Sequence, residues 1–197
     1  MTPSLAHPAY VMLVLWPVWA VSWFAAAGWS ARVRTRAGLG RETAYRIVIA
    51  IGAILFFVPH NSSLAIARLW PLWNRTGLWI LVAVEAAGFA FAWWARIHLG
   101  GLWSGSITRK EDHRIVDTGP YAIVRHPIYT GILIALFATM IAKGTLLGLI
   151  GAGIMALGFW MKAKLEEQFL REELGAEAYD AYRRRVPMLV PFAPKRA

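Results

Sequence analysis

Residues 119–131 of the chain read GPYAIVRHPIYTG, a polar segment with two prolines that runs directly into an apolar stretch. Pro120 and Pro127 have no amide hydrogen to donate, and each biases the residue before it away from helical geometry. The backbone is therefore predicted to be an ordered loop that enters a helix at a defined angle. This arrangement places the side chains of Tyr121, His126 and Tyr129 close to the start of that helix.

The composition of the chain is that of an integral membrane protein. Hydrophobic residues make up 58% of the 197 residues, the chain contains 11 tryptophans, and the mean hydropathy is +0.48. A soluble core of this length cannot bury so many apolar side chains, whereas lipid solvates the outer faces of helices directly. The chain has no cysteine, which excludes disulfides and thiolate sites, and we expect no metal site.

Five apolar stretches predict five transmembrane helices. They are residues 9–31, a stretch from residue 47 to an interfacial turn at 59–63, and residues 76–95, 128–142 and 145–161. The first is long enough to cross a hydrocarbon layer of about 30 Å. The fourth is short, so we expect it to start either below the headgroups or beside a thinned cavity lined by protein.

The last two predicted helices are separated only by Lys143 and Gly144, which predicts a tight antiparallel hairpin. We expect an all-α fold with a single domain over residues 1–197. Its first part, residues 1–96, would hold three helices. Its second part, residues 97–197, would hold a long polar loop, the hairpin and a cytoplasmic C-terminal helical segment.

The positive charge is distributed unevenly along the chain. If the five helices alternate in direction, 18 of the 21 Lys and Arg residues fall on one side of the membrane. The positive-inside rule then places the N-terminus outside the cell and the C-terminus in the cytoplasm. We expect the membrane to be a prokaryotic inner or cell membrane. The net charge of +10 is explained by this topology and by attraction to anionic lipids. We therefore expect membrane lipids as partners and no nucleic acid; the sequence does not indicate an oligomeric state.

The two long polar segments, residues 96–127 and 162–197, would lie on the same side and can build one site together. A helix N-terminus near His126 offers free amides and partial positive charge to a carboxylate or phosphate, and Arg125 would reinforce it. From the second segment, Glu166 and Glu167 would lie at the same depth. A cytoplasmic loop anchored by interfacial Tyr and His is an equally good interpretation of these residues alone. Residues 183–185, three arginines, are assigned to the membrane surface.

Several motifs, in this order, resemble the isoprenylcysteine carboxyl methyltransferase and phospholipid methyltransferase superfamily. The resemblance covers roughly the C-terminal half, from Leu99 onward. The motifs are His113-x-Ile115-Val116-x-x-Gly119-Pro120-Tyr121, Arg125-His126-Pro127-x-Tyr129-x-Gly131, Glu166-Glu167-x-x-Leu170, Gly175 with Tyr179 and Tyr182, and Arg185-Val186-Pro187-x-x-x-Pro191. No single motif is specific for this superfamily, but the order and spacing of the motifs together are specific for it.

The resemblance implies an all-helical membrane enzyme that uses S-adenosyl-L-methionine to methylate a lipophilic or membrane-associated acceptor, through a carboxylate or an amine. The cofactor-binding residues would be His113, Arg114, Ile115, Val116, Tyr121, Arg125, His126, Pro127, Ile128, Tyr129 and Glu166. Lys162 stands where the carboxyl methyltransferases have an arginine that meets the substrate carboxylate. Because lysine lacks the planar bidentate fork of arginine, a carboxylate is not established as the acceptor group, and the chemical class of the acceptor stays undecided. Glu167 and His126 are alternative candidates for a general base with an amine or hydroxyl acceptor.

Two other functions remain open at this stage. Membrane sterol reductases share a similar Arg-His-Pro-x-Tyr segment and use NADPH, although they typically have asparagine where this chain has Ile128. A scaffold or transporter would explain the helices but not the polar motifs. The pattern Gly151-x-Gly153-x-x-Ala156 fits a dinucleotide fingerprint by letters, but no strand precedes it. These glycines, and Gly144-x-x-x-Gly148, are predicted to allow close helix packing.

Glu85 is the only charged residue of the third predicted helix. An ionisable residue in mid-membrane is a functional hypothesis by default. Protonation, or pairing with Asn74, Arg96 or a neighbouring helix, would explain it equally well.

Overall fold

The computed structural model describes residues 7–26, 33–36, 39–58, 68–71, 73–104, 108–110 and 115–193. Its helices are α1 (Pro8–Ala25), α2 (Leu39–Phe57), α3 (Arg75–Leu99), α4 (Pro120–Ile123), α5 (Pro127–Lys143), α6 (Leu146–Leu174) and α7 (Ala176–Arg185). A single 3-10 turn, Gly100–Leu102, follows α3. The fold is helical as predicted, apart from a short antiparallel ribbon of β1 (Val33–Arg36) and β2 (Thr108–Lys110) that the sequence analysis did not anticipate.

In the part of the chain that the structure describes, three helices are long and apolar enough to cross a membrane, namely α1, α3 with its 3-10 extension, and α6; α5 is a shorter apolar helix. Much of their apolar surface faces outward, as on α1, where Val21 is 69% and Phe24 75% exposed. Because the contact of such large apolar faces with water is unfavourable, they are surfaces for lipid. The chain is an integral membrane protein.

Helix α2 differs from its prediction. It begins at Leu39 rather than at residue 47, about two turns earlier, and its first turns therefore contain Arg41, Glu42 and Arg46. An ion pair between Glu42 and Arg46, one turn apart, and a hydrogen bond from Tyr45 to Glu42 stabilise this charged start. Among the described residues, α2 is not one of the helices that are long and apolar enough to cross a membrane. The predicted turn at residues 59–63 lies outside the described residues.

The long helices alternate in direction. Met12 near the start of α1 packs in one cluster with Leu81 of α3 and Ala138 of α5, while Arg96 near the end of α3 donates to the carbonyl of Ala26 just after α1. These contacts make α1 and α3 parallel and α5 antiparallel to both. The end of the bundle at which α1, α3 and α6 finish and α2 and α5 begin is called the site end below.

Glycines bring two pairs of helices into backbone contact. A Cβ atom on Gly88 of α3 would collide with the carbonyl of Gly131 on α5, and one on Gly151 of α6 would collide with the backbone of α2 at Phe56. The prediction of close packing is thus confirmed for Gly151. It is wrong for Gly153, which has open space around it, and for Gly148, whose neighbours are the side chains of the preceding turn.

The connection between α5 and α6 is as short as predicted. Gly144 takes a left-handed conformation with φ 60°, which glycine adopts without strain, and Thr145 caps α6 by accepting a hydrogen bond from the amide of Gly148. The two helices nevertheless diverge from this turn, because α5 packs mainly against α3 and α6 mainly against α2. The predicted tight hairpin is therefore correct for the connection and wrong for the packing.

Candidate functional site

The segment before α5 has the ordered geometry that its prolines predict. Pro120 starts the single-turn helix α4, Val124 is extended, and His126 precedes Pro127 with φ −122° and ψ 63°. Pro127 occupies the first turn of α5, where its missing amide has no cost. As a result, Tyr121, His126 and Tyr129 are buried together at the site end.

The chain returns to this segment through residues 186–190, which we call the C-terminal strap. The amide of Arg125 donates to the carbonyl of Pro187 at 2.8 Å, and the amide of His126 to that of Met188 at 3.1 Å. The hydroxyl of Thr130 donates to the carbonyl of Leu189 at 2.7 Å. Two of the amides predicted to bind an anion are thus already used. Within the described residues, the amides of Ile128 and Tyr129 are left without a backbone acceptor.

Glu166 of α6 is the centre of the polar cluster. The hydroxyl of Tyr129 donates to its Oε1 at 2.6 Å, and Nδ1 of His126 lies 3.5 Å from its Oε2. Nζ of Lys162, one turn earlier, is 3.9 Å from Oε1 and lies over the rings of Tyr129 and Tyr45 at 5.2 and 5.7 Å. The cluster therefore joins α2, α5 and α6.

Glu167 lies on the other side of the His126 ring. Its Oε1 accepts from Nε of Arg125 at 2.7 Å and is 3.3 Å from Nε2 of His126, and its Oε2 is 3.5 Å from Nε of Arg183. The residue is 4% exposed and does not line the site cavity. The structure thus places Glu167 behind the cavity wall, within a buried ion-pair network.

His126 lies between two carboxylates, one at each ring nitrogen. Burial by itself lowers the pKa of His126, but the hydrogen bonds and charges of Glu166 and Glu167 outweigh it and raise that pKa above the usual 6.5. The ring stacks on Tyr129 with centroids 5.5 Å apart. The His126 ring thus links the two acidic residues, with Glu166 at Nδ1 and Glu167 at Nε2.

A cavity of ≈ 440 Å³ opens beside this cluster, within the size range of small-molecule sites. Its polar end is formed by side chains of α5, α6 and the segment before α5, including Arg125, His126, Tyr129, Lys162 and Glu166. Its other end, which we call the tryptophan wall, is formed by Trp19 and Trp23 of α1 and Trp103 after α3. The cavity thus joins a charged end to an aromatic one.

Most residues predicted to bind a cofactor line this cavity. They are Ile115, Val116, Tyr121, Arg125, His126, Pro127, Ile128, Tyr129 and Glu166, together with Lys162 from the predicted acceptor contact. The predictions for His113 and Arg114 lie outside the described residues. The side chain of Arg125 is also engaged with Glu167 and with the carbonyls of Arg183 and Val186.

The sequence analysis missed the tryptophan wall. A signal was present, because Trp16, Trp19 and Trp23 follow helical spacing and share one face of α1. It also missed Tyr45, since the predicted helix began after it. Of residues 183–185, which were assigned to the membrane surface, Arg183 pairs with Glu167 and Asp180, and Arg185 pairs with Asp117.

Glu85 is fully buried between helices, and neither of its oxygens has a hydrogen-bond partner within the described residues. The predicted partners are used elsewhere: Asn74 caps α3 by accepting from Gly77, and Arg96 donates to Ala26. Glu85 does not line the site cavity.

The long apolar helices, the buried charge cluster and the cavity between them define a helical membrane protein with a candidate ligand site at one end of its bundle. Residues 79–172 match the model of the isoprenylcysteine carboxyl methyltransferase family. The match includes Tyr129, Lys162 and Glu166, and the predicted resemblance is confirmed.

Individual relatives agree with this assignment. The chain is 34% identical over 87 residues to protein-S-isoprenylcysteine O-methyltransferase B of Arabidopsis thaliana, covering 44% of each chain. It is 34% identical over 142 residues to methanethiol S-methyltransferase 2 of Bradyrhizobium diazoefficiens, covering 64% of this chain and 52% of the relative. It is 42% identical over 73 residues to methanethiol S-methyltransferase of a Pseudomonas species, covering 36% of this chain and 26% of the relative. The chain thus spans about half the length, or less, of these relatives.

Proposed function

We propose that this protein is an integral membrane methyltransferase that uses S-adenosyl-L-methionine to methylate the carboxylate or thiolate of a lipophilic acceptor. The observation that carries the proposal is the cavity, which has the Tyr129–Glu166–Lys162 cluster at one end and the tryptophan wall at the other. The relatives are named as methyltransferases of isoprenylcysteine and of methanethiol, and both acceptors fit this proposal.

The residues at the polar end fit the cofactor by the chemistry of their donors and acceptors. Glu166 offers a carboxylate for an ammonium or for ribose hydroxyls. The unused amides of Ile128 and Tyr129, at the positive end of α5, suit a carboxylate. The side chains of Ile115 and Val116 offer an apolar surface for adenine.

When bound, S-adenosyl-L-methionine supplies an electrophilic methyl group with a neutral thioether as its leaving group, so an acceptor that is already anionic needs no general base. The tasks of the chain are then to align the reactants and to exclude water. The tryptophan wall serves the second task, because its indole rings give the cavity an apolar lining.

Lys162 is the residue we assign to the acceptor. Its ammonium is held between the rings of Tyr45 and Tyr129 and beside Glu166, on the cavity lining. A cation at this point attracts a carboxylate or thiolate and repels a protonated amine. This favours the anionic acceptors over the amine that the sequence left open.

Glu167 is assigned a positioning role instead of a chemical one. It does not line the cavity, and its carboxylate contacts Arg125 and His126. It therefore holds the two residues that precede α5, and His126 in turn contacts Glu166. We further propose that the site end faces the cytoplasm, because most of the basic residues lie in segments attached to it.

The proposal is tested with the purified protein in lipid nanodiscs and S-adenosyl-L-methionine carrying a radioactive methyl group. A prenylated cysteine and a long-chain thiol are offered as acceptors, and a long-chain amine serves as comparison. We expect label in the carboxylate or thiol acceptor, loss of transfer in Glu166→Gln, and unchanged transfer in Glu172→Gln, an exposed neighbour on α6. Absence of transfer to all three, or transfer to the amine alone, contradicts the proposal.

A further inference from the structure

Arg96 lies at the end of α3, directly behind the tryptophan wall. It is 2% exposed, and its guanidinium carbon lies 3.5 Å from the ring centroid of Trp103 and 4.4 Å from that of Trp23. Trp93, on its own helix, is a third ring at 5.7 Å. Arg96 is thus enclosed by three indoles, two of which, Trp23 and Trp103, also line the cavity.

The guanidinium has no acidic partner among the described residues. Its Nη2 donates to the carbonyl of Ala26 at 2.6 Å, while its Nη1 is buried without a hydrogen-bond partner in the described part of the chain. A buried charge without a counter-ion is costly. What stabilises it here is the stack of aromatic faces, and this interaction is strongest where water is excluded.

The same contacts connect three separate pieces of the site end. Ala26 lies at the end of α1, Arg96 on α3, and Trp103 after the 3-10 turn. The indoles also contact one another, with Trp23 5.6 Å from Trp103 and 5.0 Å from Trp19. Removing the guanidinium would leave Trp23 and Trp103 without the plane that fixes their spacing.

We propose that Arg96 is a positioning residue for the acceptor: it holds Trp23 and Trp103 in place as the wall against which the lipophilic part of the acceptor packs. This inference rests on the proposed function, and it assigns the aromatic end of the cavity to the acceptor tail. Arg96 touches neither reactant. The effect of replacing Arg96 therefore depends on the length of the acceptor tail, and the polar end of the cavity is left unchanged.

The test compares Arg96→Lys, which keeps the charge but loses the planar stack, with Lys164→Met. Lys164 also lies over an indole, that of Trp160, at 5.7 Å, but this pair is outside the cavity lining. The acceptors are N-acetyl-S-farnesylcysteine and N-acetyl-S-methylcysteine, which share one head group. In Arg96→Lys we expect KM for the farnesylated acceptor to rise about tenfold with kcat nearly unchanged, as for loss of a desolvated aromatic contact. KM for the short acceptor and the affinity for S-adenosyl-L-methionine should stay as in the wild type, and Lys164→Met should show no effect.

Trp103→Leu is the second variant, and it carries the test if Arg96→Lys does not fold. It should give the same rise in KM, and the double variant should be no worse than the worse single variant, because both changes remove one shared contact. Equal effects on short and long acceptors, additive effects, or a parallel loss of cofactor affinity overturn the proposal.

Tryptophan emission measured on adding the farnesylated probe, without cofactor, separates this inference from the proposed function. A change in emission that is lost in Arg96→Lys supports the wall even if no methyl transfer is found. If the emission of the wild type does not change, the proposed role of the tryptophan wall is contradicted, whether or not methyl transfer occurs.

Discussion

The hydroxyl of Tyr129 donates a 2.6 Å hydrogen bond to Oε1 of Glu166, and this bond joins the start of α5 to α6 at the polar end of the cavity. In our account it orients the carboxylate that binds the cofactor. Replacing Tyr129 by Phe removes the bond and leaves the ring that stacks on His126. We expect affinity for S-adenosyl-L-methionine, measured by calorimetry, to fall on the order of tenfold, as for a bond to a charged group.

The control for this variant is Tyr10→Phe, which removes a hydroxyl from a 37% exposed residue on α1 and should leave the affinity unchanged. Equal affinities of Tyr129→Phe and the wild type would contradict the role given to the bond.

Glu167→Gln should destabilise the fold. The buried carboxylate faces Arg125 and His126, and breaking a buried pair by removing one partner costs about 3–5 kcal/mol. The free energy of unfolding, measured with SDS in mixed micelles, is expected to fall by about this amount relative to Glu172→Gln. A Glu167→Gln protein as stable as the control would show that the network is not structural.

Stability should depend on pH through His126. Its pKa is raised in the folded protein above the usual 6.5 by Glu166 and Glu167, so the folded state holds the proton more tightly than the unfolded state. The contribution is complete below the unfolded pKa and is lost as the pH rises through the raised folded value. The melting temperature should therefore decline as the pH rises above about 6.5, and His126→Gln should remove this part of the decline. Parallel pH profiles for the two proteins would argue against an imidazolium at this position.

Glu85→Gln should leave turnover unchanged. Glu85 is fully buried, has no hydrogen-bond partner within the described residues and does not line the cavity. The amide is nearly isosteric and has no charge to bury, so we expect equal or greater thermal stability. A loss of turnover with wild-type stability would instead place Glu85 in the chemistry.

The polar end of the cavity was predictable because its residues are local. His126, Pro127 and Tyr129 lie on one helix start, and Glu166 lies where an apolar helix continues beyond its apolar run, so sequence order alone brings them to one depth. The proline geometry before α5 followed from the missing amides of Pro120 and Pro127.

The aromatic end of the cavity was not predictable from the order of residues along the sequence alone. Trp103 and Trp23 are 80 residues apart, and only the tertiary packing of α1 on α3 brings them together. Arg96 was considered only as one of the basic charges and as a possible partner of Glu85, because a single arginine in sequence gives no indication that indoles enclose it. The divergence of α5 and α6 was missed for the same reason: it depends on Gly88 and Gly151 meeting other helices, which a short connection cannot indicate.

The most direct test of the account is calorimetric titration of the purified protein with S-adenosyl-L-homocysteine, the demethylated cofactor, and separately with NADPH. The account predicts saturable binding of S-adenosyl-L-homocysteine that is lost in Glu166→Gln and kept in Glu172→Gln, and no binding of NADPH. Binding of NADPH with no binding of S-adenosyl-L-homocysteine would contradict it and would indicate a reductase.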